Sequence, residues 1–275
     1  MNRLIYSFVR AASRNAWLHY LSCLILFPHF ANAQIEWARQ SNPNAGAGGS
    51  AQGNALAIDA LGNTYVVGDY TGEVVLGSNL LGNDGSVYLA KYTPSGNLSW
   101  VRFVKGSSNN DGLAIALDPA GEVYIAGQYT HTNNNTILDF GQLTLTGSGE
   151  DDLFIAKSDT AGNFLWGTSM IVDDILGGQF VRPHDMEVDA AGNITIIGAM
   201  NAPVTIDGQR FNTTNYQNNN TDQFFISQFR SDGSLNYFRY MEQENGGKYF
   251  SANDIKPASN GDWFITGLMS DAGMK

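Results

Sequence analysis

The segment Asp59-Ala60-Leu61-Gly62-Asn63-Thr64-Tyr65-Val66-Val67-Gly68 decides the reading of this chain, because the chain repeats it. It returns as Asp118-Pro119-Ala120-Gly121-Glu122-Val123-Tyr124-Ile125-Ala126-Gly127, and again as Asp189-Ala190-Ala191-Gly192-Asn193-Ile194-Thr195-Ile196-Ile197-Gly198. A fourth copy, Ser259-Asn260-Gly261-Asp262-Trp263-Phe264-Ile265-Thr266-Gly267, sets Ser259 against the aspartate. The two glycines of each copy stand six residues apart, and successive copies lie 59, 71 and 69 residues apart. Asp-x-x-Gly between alternating apolar runs is a hairpin signal. The aspartate accepts backbone N–H groups across the turn, and the glycine takes positive φ at little cost. Asp59, Gly62, Asp118, Gly121, Asp189, Gly192 and Gly261 are therefore expected to form structural turns.

A second motif lies between the copies. Tyr88-Leu89-Ala90-Lys91 leads to Gly96-Asn97 and Trp100, Phe154-Ile155-Ala156-Lys157 to Gly162-Asn163 and Trp166, and Phe225-Ile226-Ser227-Gln228 to Gly233-Ser234 and Tyr237. Strand-length apolar runs flank both motifs, so each repeat is expected to hold four antiparallel strands and no helix. Four strands in every 60–70 residues is the sequence form of a propeller blade. The expected fold is all-β, a beta-propeller of tandem four-stranded antiparallel blades at 51–104, 112–170 and 182–241, with a partial blade at 252–275 and an outer strand at 35–40. About three and a half blades do not make an evident ring, so the chain reads as incomplete, with open edges that invite self-association. Trp37, Trp100, Trp166 and Tyr237 recur at one place in their strands. They are expected to be structural aromatics between blades rather than a sugar-stacking stripe. The insertions that carry Asn133–Asn135 and Asn218–Asn220 read as polar surface loops, with a binding rim as the alternative.

Residues 1–33 read as a signal peptide. Arg3, Arg10 and Arg14 precede an apolar run from Ala16 to Phe27, and Ala31-Asn32-Ala33 offers small residues for cleavage. The run is too short to span a bilayer, which needs about 20 residues. Cleavage leaves 242 residues with a formal charge of -14 and no cysteine. An exported domain of that size without disulfides is held by its own core, which suits a bacterial envelope or surface protein. The acidity and the lack of a basic patch argue against nucleic acid, and no remaining stretch is long enough to span a membrane.

Chemistry is sparse. His131 and His184 fall in different parts of their repeats, so no zinc-ligand spacing appears. Asp151-Asp152 and Asp173-Asp174 are pairs able to serve acid–base hydrolysis of a glycan, but Asp84, Asp152 and Asp222 all stand just before a third strand and look architectural. Gly46-Ala47-Gly48-Gly49 lacks the lysine of a phosphate loop. No catalytic residue and no metal ligand is assigned. Calcium remains the one cofactor left open, through Asp59, Asp118 and Asp189, although turn capping explains the same residues.

The Asp-x-x-Gly-Asn-x-Tyr-Val-x-Gly, Tyr/Phe-x-Ala-Lys and Gly-Asn-x-x-Trp motifs together resemble the bacterial beta-propeller repeat family known as SBBP, over residues 35–268. Ser259, Gln228 and Tyr237 depart from its pattern. The resemblance implies an exported or surface protein without a defined activity. The function expected is a non-enzymatic binding or scaffold module at the bacterial cell surface, with an unidentified protein or glycan as partner. A carbohydrate-active or other hydrolytic propeller enzyme is the alternative.

Overall fold

The computed structural model describes residues 42–43, 49–81, 86–106, 110–130, 137–147, 151–173, 177–212, 222–241, 248–258 and 261–271. The signal segment, the strand expected at 35–40 with Trp37, and the asparagine runs lie outside the described residues.

A short strand β1 (Asn42–Pro43) precedes the first repeat, which contains β2 (Ser50–Ile58), β3 (Thr64–Thr71), a small hairpin of β4 (Val74–Leu76) and β5 (Asn79–Leu81), then β6 (Val87–Tyr92) and β7 (Leu98–Val104). The second repeat follows the same plan with β8 (Asn110–Leu117), β9 (Val123–Thr130), the hairpin β10 (Ile137–Asp139) and β11 (Thr144–Thr146), β12 (Asp151–Ser158) and β13 (Phe164–Val172). The third has β14 (Val181–Val188), β15 (Ile194–Met200), the hairpin β16 (Val204–Ile206) and β17 (Gln209–Phe211), β18 (Gln223–Phe229) and β19 (Leu235–Tyr240). β20 (Lys248–Pro257) and β21 (Trp263–Asp271) form a terminal two-stranded sheet.

The first two strands of every repeat share one irregularity. Their register slips between Gly53 and Ala55, Gly112 and Ala114, Pro183 and Asp185, and Ala252 and Asp254. One residue is extra at each bulge: Asn54, Leu113, His184 or Asn253. The second glycine of each motif faces this bulge. A Cβ on Gly68, Gly127, Gly198 or Gly267 would collide with the carbonyl oxygen of Gln52, Asp111, Arg182 or Ser251. The bulged strand comes so close there that only glycine fits opposite it.

Apolar cores lie between successive sheets. Tyr65, Val67 and Leu89 of the first pack with Ile125 and Phe154 of the second. Leu153, Ile155 and Met170 of the second pack with Ile196, Phe225 and Phe238 of the third. Ile197 and Phe224 meet Ala252 and Ile255 of the terminal sheet. Each fully buried Phe or Leu contributes roughly 1.5–3 kcal/mol, so these seams supply much of what holds the repeats together.

The expected propeller is not what these strands build. They fall into separate open antiparallel sheets, and none closes on itself. Repeat and sheet boundaries also fail to coincide. The β16–β17 hairpin of the third repeat adds to β13 of the second, giving a six-stranded sheet ordered β17-β16-β13-β12-β9-β8. Likewise β4 pairs with β1, and Asp139 at the end of β10 bridges Lys105 just after β7. The motifs specify turns and bulges, which any antiparallel meander can use, and they carry no instruction for closing sheets into a ring. The third repeat's insertion, read as a polar loop, thus begins as an apolar clasp on the preceding repeat, with Val204 and Ile206 fully buried.

Replacing Gly127 with alanine is expected to destabilise the chain by roughly 1–3 kcal/mol, the range for an overpacked interior. Gly141, which has nothing within 4 Å of its would-be Cβ, is the control and should lose only the cost of its positive φ. Urea unfolding of the two variants checks this, with Gly127→Ala the weaker protein.

Candidate functional site

The Asp-x-x-Gly turns close through two backbone bonds, Asp59 N–H to Asn63 O and Gly62 N–H to Asp59 O in the first. Asp59 Oδ1 then accepts the Leu61 and Asn63 N–H groups at 2.9 Å each, and Oδ2 accepts Asn63 Nδ2 at 2.8 Å. Asp189 repeats the set with Ala191 and Asn193. Asp118 takes the Ala120 and Glu122 N–H groups, and its Oδ2 accepts the Tyr124 hydroxyl at 3.2 Å. Gly62, Gly121, Gly192 and Gly261 all have positive φ, between 79° and 88°.

The fourth turn corrects the sequence frame by one residue. Ala258 N–H donates to Asp262 O and Gly261 N–H to Ala258 O, so Ala258 holds the aspartate position, not Ser259. Ser259 itself lies outside the described residues. The turn therefore closes with alanine, not aspartate, at its first position.

The same turn also joins the third and fourth strands, which the motif reading missed. Asp159 Oδ1 accepts Ala161 and Asn163 N–H, and Oδ2 accepts Asn163 Nδ2. Its signal was present as Asp159-Thr160-Ala161-Gly162-Asn163, which matches Asp59 to Asn63 in pattern. Thr93 stands in for it in the first repeat, its hydroxyl accepting Asn97 N–H.

Three turns of successive repeats, at Asp59, Asp118 and Asp189, line one cavity of about 670 Å³ together with Leu61, Leu117 and Lys91. A second cavity of about 580 Å³ runs from Asp189 to Gly261 and Trp263. Around the first, Ile58 and Leu61 are 62% and 80% exposed, an apolar rim beside the carboxylates.

One wall of this cavity starts a row of side chains that crosses three strands. Tyr65, Lys91 and Trp100 are cross-strand neighbours in the first sheet, as are Tyr124, Lys157 and Trp166 in the second. The lysine ammonium lies over the tyrosine ring, at 4.7 and 4.9 Å, and the tryptophan meets that ring edge-on. In the third sheet the row is Thr195, Gln228 and Tyr237. Gln228 Nε2 donates to Thr195 Oγ1 at 3.0 Å, so a hydrogen bond replaces the cation over the ring. Lys157 pairs with Glu122 at 2.6 Å, whereas Asn63 stands at the equivalent place beside Lys91.

The tryptophans are filled from both sides. Arg102 lies 5.2 Å over Trp100, and a Cβ on Gly162 of the next repeat would sit 3.1 Å from its ring. Trp166 Nε1 donates to Ser231 O of the third repeat at 3.1 Å. These rings join repeats.

The other candidates have partners within the fold where they are described. Asp152 is 1% exposed and accepts Val172 N–H, Asp151 accepts the Thr130 hydroxyl, and Asp173 pairs with Arg210. Asn110 Nδ2 bonds Ser86 Oγ, and the strand registers align Ser86, Asp152 and Gln223, not Asp84, Asp152 and Asp222. His131, Asp84 and Asp174 lie outside the described residues. Among the described residues no group of three His, Cys, Asp or Glu side chains is arranged to hold a metal. No helix there is long and apolar enough to cross a membrane.

A charged group that the sequence did not single out lies between β14 and β20. Asp185 Oδ2 accepts Ile255 N–H at 2.9 Å, and Lys256 Nζ lies 3.9 Å from Asp185, 3.3 Å from Asp254, and against Glu187. Burial, with Asp254 beside it, pushes the Asp185 carboxyl up to about 6.

Burial pulls the Asp59 carboxyl up, but the bonds from Asn63 and Leu61 outweigh it and hold it below the usual range. Bonds from Asn163 do the same for Asp159. A depressed carboxyl stabilises the fold above its unfolded value near 3.8, and that contribution disappears as pH falls through the folded value. Asp59→Asn and Asp159→Asn should each cost about 1 kcal/mol at neutral pH and flatten the loss of stability below pH about 4. Urea titrations across that range check both effects.

No family model matches the chain, so the resemblance to the SBBP repeat is not sustained. The chain is 25% identical over 220 residues to an uncharacterized WD repeat-containing protein of Acanthamoeba polyphaga mimivirus, covering 70% of this chain and 15% of that protein. It thus spans under a sixth of that relative's length. A crystal structure of a protein of unknown function from Bacteroides caccae superposes with a TM-score of 0.35 and 13% identity, over 78% of this chain and 70% of that one.

Proposed function

We propose that this chain is a non-enzymatic binding module, exported and displayed at the cell surface, whose ligand face is the rim formed by the first three Asp-x-x-Gly turns. The observation that carries this reading is the cavity of about 670 Å³ shared by those turns. Its three aspartates spend their Oδ1 atoms on backbone N–H groups, which suits them to shaping a rim rather than to proton transfer. Ile58 and Leu61 add an exposed apolar edge to that rim. Export is supported by the leader at residues 1–33. The partner belongs to the protein or glycan class.

The full chain, screened on a glycan array and a displayed peptide library, is expected to retain at least one ligand. Leu61→Asp should weaken that ligand about tenfold or more with no change in Tm, because Leu61 is 80% exposed. A screen with no ligand, or ligands indifferent to Leu61→Asp, overturns the reading. Turnover of a glycoside panel abolished by Asp185→Asn would replace it with hydrolysis.

A further inference from the structure

We propose that the seam between β14 and β20 is an acid-tightened latch, in which protonation of Asp185 draws the terminal β20–β21 sheet onto the third repeat and neutral pH loosens it. The argument begins with equivalent positions along the first strands. After the bulge the first two repeats carry Ala55 with Ala57 and Ala114 with Ala116, while the third carries Asp185 with Glu187 and the terminal sheet Asp254 with Lys256. The two positions that are small and apolar in the first two repeats are ionisable in the third repeat and the terminal sheet.

Charge does not balance at this seam. Three carboxylates, Asp185, Glu187 and Asp254, surround the single ammonium of Lys256. Burial works against the Lys256 charge, but Glu187 and its other partners hold it charged, so the group is left with excess negative charge. The bond to Asp185, then that to Lys256, depresses Asp254, which leaves Asp185 to take the proton. Protonated Asp185 donates to Asp254, and its other oxygen keeps the Ile255 N–H. Deprotonated, it faces Asp254 as a like charge.

Other groups near β14 have their own partners. His184 Nδ1 donates to Ala252 O at 2.6 Å, a tie to the same seam. Asp111 of β8 is pushed up by burial, then by Asp69 of β3 and Asp151 of β12, with Arg182 pulling the other way. Asp152 bonds Val172, Lys157 pairs with Glu122, and β9 offers Tyr124 against Lys157 and Tyr129 bonded to Ser169. β15 and β13 carry no ionisable side chain.

The sign follows from a carboxyl raised on folding. The folded state binds the extra proton between the unfolded value of 3.8 and about 6, so stability at the seam grows as pH falls from 6 and is lost as pH rises through it. Hydrogen exchange of β20 and β21 amides in the full chain, corrected for intrinsic rates, tests this at pH about 5 and about 7.5. Protection is expected to be about tenfold higher at the lower pH, while the amides of β7 change little. Asp185→Asn should give high protection at both pH values and erase the difference, and Asp254→Asn should shrink it by removing the like charge. Equal protection at both pH values in the native chain, or an unchanged difference in either variant, overturns the latch.

Discussion

The close approach between each first strand and the glycine of its partner is the constraint from which the rest follows. At Gly68, Gly127, Gly198 and Gly267 the neighbouring carbonyl occupies the space a side chain would need. The bulge that forces this approach also resets which residues of the first strand face the next sheet. Upstream of it lie Gln52, Asp111, Arg182 and Ser251, and downstream the alanines or charged pairs that form the seams. Turn and bulge act together, because the capped turn fixes where the register starts and the bulge fixes where it changes.

On this frame the repeats have diverged in coordinated groups. Replacing Tyr by Thr, Lys by Gln and Trp by Tyr across one row keeps three strands in register while exchanging a cation over a ring for a hydrogen bond. The bulge residues behave similarly. Asn54 donates to Gly112 O of the next repeat at 2.9 Å, and His184 reaches Ala252 O in the same direction, while Leu113 has no polar group to do so. The second seam relies instead on the apolar cluster around Met186, Ile196 and Phe225.

Much of the local structure was legible in the sequence because turns depend on residues four positions apart. Asp59 to Asn63 shows both the cap and the turn in five letters. Asp159 to Asn163 shows the same five-letter pattern, set inside the motif that runs from Lys157 to Trp166. In the fourth turn Ser259 resembles a substitute cap by residue type, whereas the backbone closes on Ala258. What pattern could not supply was the relation between sheets. Nothing near Val204 or Ile206 in sequence says that their hairpin pairs with β13 of the repeat before. Asp185 and Asp254 are 69 residues apart in the chain, and a bulge separates each from the alternation that would predict its face.

The hairpin clasps have a consequence of their own. Each reaches back: β4 to β1, Asp139 to Lys105, β16 to β13. The repeats are therefore joined head to tail, and every unit has a donor side and an acceptor side that differ in kind. Excising one whole repeat would leave a donor facing an acceptor across the scar, whereas inverting the order of two half-repeats would set like against like. Such a chain can lengthen or shorten by duplication and loss of complete units, and its polarity tells which cuts respect a unit's border: those made after a fourth strand, before the clasp that will reach back to it.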